Sequence, residues 1–243
     1  PFTSLSLGAS TQIVHAYHGP AKYDVMGEEV KTSAVGHRLY ALRSSLVSDI
    51  LSELGVEGVI SGVSPLFDQA FAAGRAMPVL VRRRSNAPKG LRESLMEAVD
   101  VTARGSVLVI SSNTQACSTW GGLMSRYAKL SGIAGVVVCG AARDTQEIAE
   151  LRFPVFASAV TPLSGHDRVE VVSAGAPAKC GTVIVQKDDL VVADRDGVVV
   201  VSEPLVCEVL DRAAKLQAKE KEQTVEMRNR LRSKLNSASR KHS

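Results

Sequence analysis

Thr119-Trp120-Gly121-Gly122-Leu123-Met124, followed by Gly135-Val136-Val137-Val138-Cys139-Gly140-Ala141-Ala142-Arg143-Asp144, is the stretch from which the rest of the chain can be read. A glycine pair at the head of a helical pattern leaves backbone N–H groups free at the positive end of the helix dipole, a cradle for a carboxylate or phosphate. The apolar run after that helix reads as a strand, and Arg143-Asp144 follow it at its carboxyl end. Open α/β sheets bind their ligands at that end. The two loops can therefore face one another.

Upstream, Leu46, Val47, Ile50, Leu51 and Leu54 recur at helical spacing and stop at Gly55. Met77 to Val81 reads as a strand, and Leu91, Leu95, Met96, Val99 and Ala103 as a helix ended by Gly105. A strand at Val107 to Ile110, a helix from about Gly121 to Leu130 and a strand at Ala134 to Val138 follow. A short helix around Ile148 and Leu151 and a strand at Val155 to Ala159 complete an alternation that predicts a parallel α/β core. Four short runs, Val169 to Val172, Thr182 to Val185, Leu190 to Ala193 and Val198 to Val201, predict an all-β block. Asp194-Arg195-Asp196-Gly197 between the last two reads as a hairpin turn, since the later ligands of a calcium loop are missing. Ser202, as N-cap, and Pro204 open a long helix with Leu205, Val206, Val209, Leu210, Ala213 and Leu216 on one face. That face thins to Val225, Met227, Leu231 and Leu235, so the distal half is expected to extend away or cross a neighbouring subunit. The expected organisation is an extension over 1–43, an α/β domain over 44–210 and a basic helical tail over 211–243.

With 45% hydrophobic and 22% charged residues, the 243-residue chain is neither disordered nor fibrous. At this length a single domain buries roughly 70% of its unfolded surface. The net charge of +4 sits in the tail, where ten Lys and Arg from Asp211 onward face four Asp and Glu. The body is near −2 and the tail lacks interleaved aromatics, so no nucleic-acid partner is expected. Arg82-Arg83-Arg84 reads as a solvated strand end and Trp120 as packing. The five His, including His15, His18 and His37, read as surface or satisfied residues. Cys117, Cys139, Cys180 and Cys207 lie far apart without a CxxC pair or a zinc spacing, so they are expected to be reduced, buried and small, in a cytoplasmic protein. Cys139, beside the presumed site, is the exception. No apolar run approaches a membrane span, and no signal-peptide pattern is visible.

Together with Phe153-Pro154-Val155-Phe156 and Asp189 to Val201, these motifs resemble the RraA-like family, over about residues 44 to 231. That family contains class II 4-hydroxy-4-methyl-2-oxoglutarate (HMG/CHA) aldolases and the regulator of RNase E activity. The resemblance implies an α/β/β/α sandwich with a mixed, barrel-like sheet and a long C-terminal helix, assembled as a homotrimer or homohexamer with sites between subunits. In the aldolase branch an acid precedes Arg-Asp by twenty intervening residues, and here that position is Gly122.

By resemblance, Arg143 and Asp144 are the catalytic residues. Arg143 would hold the pyruvyl oxygens and stabilise an enolate, and Asp144 would hold hydrated Mg²⁺ or Mn²⁺. Backbone N–H groups from Gly121 and Gly122 to Leu123 and Met124 would bind the substrate carboxylate. Glu220 or Glu222 of an adjacent subunit would complete the metal site. Gly122 and Cys139 depart from the aldolase pattern, and a lost supporting carboxylate can cost about 10–100-fold in metal affinity or activity. The expected activity is a metal-dependent lyase acting on a small oxo-acid, either retro-aldol cleavage of a 4-hydroxy-2-oxo acid to pyruvate or oxaloacetate decarboxylation. The alternative is a non-catalytic RraA-type regulator acting through a protein partner such as an RNase E-type endonuclease. A methyltransferase is rejected, because no glycine-rich nucleotide loop follows the first strand.

Overall fold

The computed structural model describes residues 39, 41–85, 89–112 and 114–239, with side chains to residue 232. The proposed extension, with His15, His18 and His37, lies almost wholly outside them. The chain runs α1 (Ser44–Glu53), β1 (Val59–Ile60), β2 (Ser64–Pro65), β3 (Ala72–Arg83), α2 (Leu91–Asp100), β4 (Val107–Ser112), β5 (Ser118–Trp120) and α3 (Gly122–Leu130). It continues through β6 (Gly135–Ala142), α4 (Thr145–Leu151), β7 (Val155–Val160), β8 (Val169–Ala174), β9 (Ala178–Cys180), β10 (Val183–Val185), β11 (Leu190–Asp194) and β12 (Gly197–Val201). A 3-10 turn (Glu203–Leu205) then leads into α5 (Val206–Ser239).

One mixed ten-stranded sheet runs β1-β12-β11-β3-β4-β6-β7-β2, with β5 added to β6 and β8 to β3. Pairs β3–β4, β4–β6 and β6–β7 are parallel, as the alternation of strands and helices requires, while β11 and β12 return antiparallel onto β3. Most of the predicted all-β block thus joins the same sheet as the parallel core. The 12-residue β3 binds both halves into one sheet, and only β9 and β10 stand apart. Its end strands β1 and β2 are joined by residues 61–63, so its edges lie within about 14 Å of one another. The sheet curls into the barrel-like form that the resemblance implies.

Strand alternation sorts the core into layers. In β4, Val107 and Val109 point into the barrel, where they meet Val137, Phe156, Val191 and Val198. Leu108 and Ile110 point outward to Leu95, Ala128, Ile148 and Phe153, under α2, α3 and α4. On the far side, Leu190, Val192, Val199 and Val201 pack beneath α1 and the first turns of α5 with Val47, Ile50, Val209 and Ala213. The hairpin turn at Asp194 to Gly197 forms as predicted, with Gly197 at φ +145°. The cap of the C-terminal helical segment does not: Ser202 makes no side-chain capping bond, and the buried Asp189 carboxylate accepts the Glu203 N–H at 3.0 Å instead. From Ala218 to Arg232 the long helix is exposed, including Val225, Met227 and Leu231.

Cys139 and Cys180 correct the expectation of four reduced cysteines, because they form a disulfide. The fold brings β6 and β9 together, with Cα atoms 5.5 Å apart across a separation of 41 residues, a proximity that spacing along the chain does not reveal. Cys117 is free and buried, and Cys207 is free and exposed. Arg82-Arg83-Arg84 is not simply solvated either: Arg82 bonds the buried Glu170 at 2.9 Å, and Arg84 bonds Asp167 at 2.8 Å.

Candidate active site

The local chain path brings the two motifs together. β4 follows β6 only as far as Cys139, and β5 then takes its place, pairing Ser118 with Ala141 and Trp120 with Ala142. The Arg143 N–H donates to the Trp120 carbonyl at 3.0 Å, which sets the end of β6 against the start of α3. Trp120 is 2% exposed, and its indole N–H donates to Ser125 Oγ at 2.8 Å. It is therefore packing, as its sequence context suggested, and it also braces the first turn of α3.

Asp144 adopts the left-handed conformation, φ +58°, which short polar side chains tolerate better than most. Its carboxylate does not cap its own helix α4. It reaches across instead, where Oδ2 accepts the Gly122 N–H at 3.1 Å and lies 3.4 Å from Arg143 Nε. Among the described residues no hydrogen bond reaches Asp144 Oδ1. Both side chains are 38% exposed. The Gly122 N–H is thus already engaged, whereas the Leu123 and Met124 N–H groups lie in the first helical turn, with no carbonyl four residues back inside the helix.

The two glycines serve different neighbours. A Cβ at Gly121 would stand 2.7 Å from Asp144 Oδ2 and 3.1 Å from Arg143 Cγ, so the absent side chain is what lets this pair close on the helix start. A Cβ at Gly122 would collide with the Glu147 carboxylate. Glu147 is held there by Arg126 at 2.8 Å. A carboxylate from α4 therefore stands beside Gly122, the position where an acid was expected. Nothing in the spacing around Gly122 points to it.

Gly121, Arg143 and Asp144 border a cleft of about 120 Å³ between the starts of α2 and α3, the β6–α4 turn and the loop at Ser164 to His166. Leu91, Leu95, Trp120 and Met124 supply apolar walls, while Arg92, Arg143 and Asp144 supply charge. Two guanidiniums against one carboxylate favour an anionic ligand. Arg92 and His166 had no sequence signal, since only the fold brings their loops to the cleft. His166 is 63% exposed, as a surface His would be, and its Nδ1 lies 2.9 Å from Asp167.

The donor set suits a hard, hydrated divalent ion that takes few protein ligands, with Asp144 Oδ1 uncommitted. Among the described residues, no three His, Cys, Asp or Glu side chains gather as a metal cage. Glu220 and Glu222 are exposed on α5, and Glu220 borders a groove with Arg43 and Asp49 of this same chain. Neither joins Asp144 within one protomer.

The family model for RraA-like proteins, Aldolase/RraA, matches residues 44–200. The chain belongs to the RraA-like family. A Halalkalibacterium halodurans relative named "Putative 4-hydroxy-4-methyl-2-oxoglutarate aldolase" is 31% identical over 178 residues, covering 72% of this chain and 80% of that protein. DlpA of Legionella pneumophila is 28% identical over 184 residues. The match spans 75% of this chain but only 30% of DlpA, and 54% of the Methanocaldococcus jannaschii protein MJ0644 is spanned by another. Among solved structures, Streptomyces coelicolor RraAS2, described as an unusual member of the RNase ES inhibitor RraA protein family, superimposes with a TM-score of 0.67 at 25% identity. That superposition covers 82% of this chain and 97% of RraAS2. A structure described as a dimethylmenaquinone methyltransferase shares the fold alone, at 20% identity and a TM-score of 0.57.

Proposed function

We propose that this RraA-like protein is a divalent-metal-dependent lyase for a small oxo-acid, cleaving a 4-hydroxy-2-oxo acid to pyruvate or decarboxylating oxaloacetate. The observation that carries this reading is the meeting of Arg143 and Asp144 with the start of α3 on the wall of a cationic cleft. Arg143 holds the keto and carboxylate oxygens of the pyruvyl group and stabilises the enolate charge, a planar two-point task that Lys performs poorly. The Leu123 and Met124 N–H groups receive the substrate carboxylate, and Gly121 leaves the room in which it approaches. Asp144, oriented by the Gly122 N–H, would hold Mg²⁺ or Mn²⁺. The bound ion supplies Lewis-acid polarisation of the oxo-acid oxygens. Glu220 or Glu222 of a neighbouring copy completes that site in a homotrimer or homohexamer. A cytoplasmic location belongs to the same proposal, and the Cys139–Cys180 bond is then transient rather than permanent.

Pyruvate release from oxaloacetate and from 4-hydroxy-4-methyl-2-oxoglutarate, measured with Mg²⁺ and with chelator, tests this. Metal-dependent turnover that falls about 100-fold or more in Arg143→Ala is expected. Absence of metal-dependent turnover of both substrates overturns it. Gly122 favours a second reading, a non-catalytic regulator of an RNase E-type endonuclease, because it leaves the signature without its acid. Stable capture of such an endonuclease by both the native protein and Arg143→Ala would support that reading.

A further inference from the structure

We infer that Cys139–Cys180 is an exchangeable disulfide, opened by small thiols at the Cys139 sulfur, that latches the β9–β10 hairpin to the strand bearing Arg143 and Asp144. β6 and β9 are not neighbours in any sheet, so the bond is a tie between separate elements. The hairpin is also held to the barrel by Ser111 Oγ donating to the Lys179 carbonyl at 2.5 Å, by burial of Ala178 and Val185 and by Val183 packing on the barrel core.

The two sulfurs differ in access. Cys180 is fully buried inside the barrel, whereas Cys139 is partly exposed and borders an open cavity of about 420 Å³ shared with Gly62, Ser112, Ser158 and Gly181. A thiolate arriving through that cavity meets Cys139. It forms a mixed disulfide there, and the Cys180 sulfur leaves with the bonding electron pair and takes a proton from solvent. A second thiolate attacks the small-molecule sulfur of the mixed disulfide and releases Cys139 as thiolate. Two small thiols are thereby oxidised to one disulfide, and the protein bond is reduced to two thiols. The reverse reaction, with the small disulfide as oxidant, closes the latch.

Cys139 lies between Val138 and Ala141, where the pairing of β6 with β7 shifts register, and four residues before Arg143. Opening the bond therefore frees the irregular segment of the strand that presents the candidate site.

The test uses the full chain with the exposed Cys207 replaced by Ser, equilibrated in glutathione buffers of varied poise. Reduction is expected to release two alkylatable thiols reversibly. It is also expected to raise amide hydrogen exchange several-fold in residues 135–144 and 178–185. In glutathione disulfide, Cys180→Ser takes up one glutathionyl group on Cys139, because no partner thiol expels it, and Cys139→Ser takes up none while folded. Equal labelling of the two variants, labelling of neither, or unchanged exchange in residues 135–144 on reduction overturns the inference. None of these readouts depends on lyase activity, so failure of the enzymatic reading leaves them intact.

Discussion

Gly121 and Gly122 are adjacent and chemically identical, yet their surroundings predict different consequences of adding one methyl group. At Gly121 the new atom meets Asp144 Oδ2 and the inner part of the Arg143 side chain. Gly121→Ala should separate that pair and weaken binding of oxalate, a pyruvyl-enolate mimic, by tenfold or more in calorimetric titration. At Gly122 the new atom meets only the end of the flexible Glu147 side chain, which can swing into solvent. Its loss of the Arg126 contact is offset by Ala's better helix propensity, so denaturant unfolding of Gly122→Ala should stay within about 1 kcal/mol of the native protein. Asp189 presents the opposite situation. It is 3% exposed, and its carboxylate accepts the Gln186 and Glu203 N–H groups at 2.8 and 3.0 Å. Asp189→Ala should cost about 2–3 kcal/mol in urea unfolding, because two N–H groups lose their acceptor in the interior.

At the level of elements, α2, α3 and α4 are tied side by side over one face of the sheet. Tyr127 on α3 donates to the Asp100 carboxylate at the end of α2, and Lys129 on α3 donates to the Leu151 carbonyl at the end of α4 at 2.8 Å. The hydrogen bond to Asp100 holds the Tyr127 phenol above its ordinary value of 10.0, with desolvation and the Asp100 charge adding in the same direction. The group's folded value is raised, so its contribution is fully present below pH 10.0 and is lost as pH rises through the higher folded value. Denaturation of the native protein and Tyr127→Phe across alkaline pH should therefore show a small native advantage at neutrality that disappears above that range. The helices themselves were legible from apolar spacing. β1, β2, β5 and β9 were not, because two or three residues carry no measurable alternation.

Across the whole molecule, α5 is about 51 Å long at 1.5 Å per residue, and among its described side chains those that reach the core lie in the first three turns. A chain ending at residue 217 should keep its melting temperature within a few degrees. Light scattering should show a lower assembly mass if the distal helix joins copies. The alternation of strand and helix, the Asp194–Gly197 turn and the adjacency of Arg143 and Asp144 to a carboxyl strand end are local properties, set by side-chain periodicity and backbone preference within a few residues. They were readable from order alone, and the family resemblance added the barrel. The Cys139–Cys180 bond, the Asp189 cap, the Glu147 carboxylate beside Gly122 and the arrival of Arg92 at the cleft join groups that lie far apart along the chain, 41 residues in the case of the disulfide. Strand pairing and sheet closure create those contacts, and no spacing rule along the chain encodes which strands will pair.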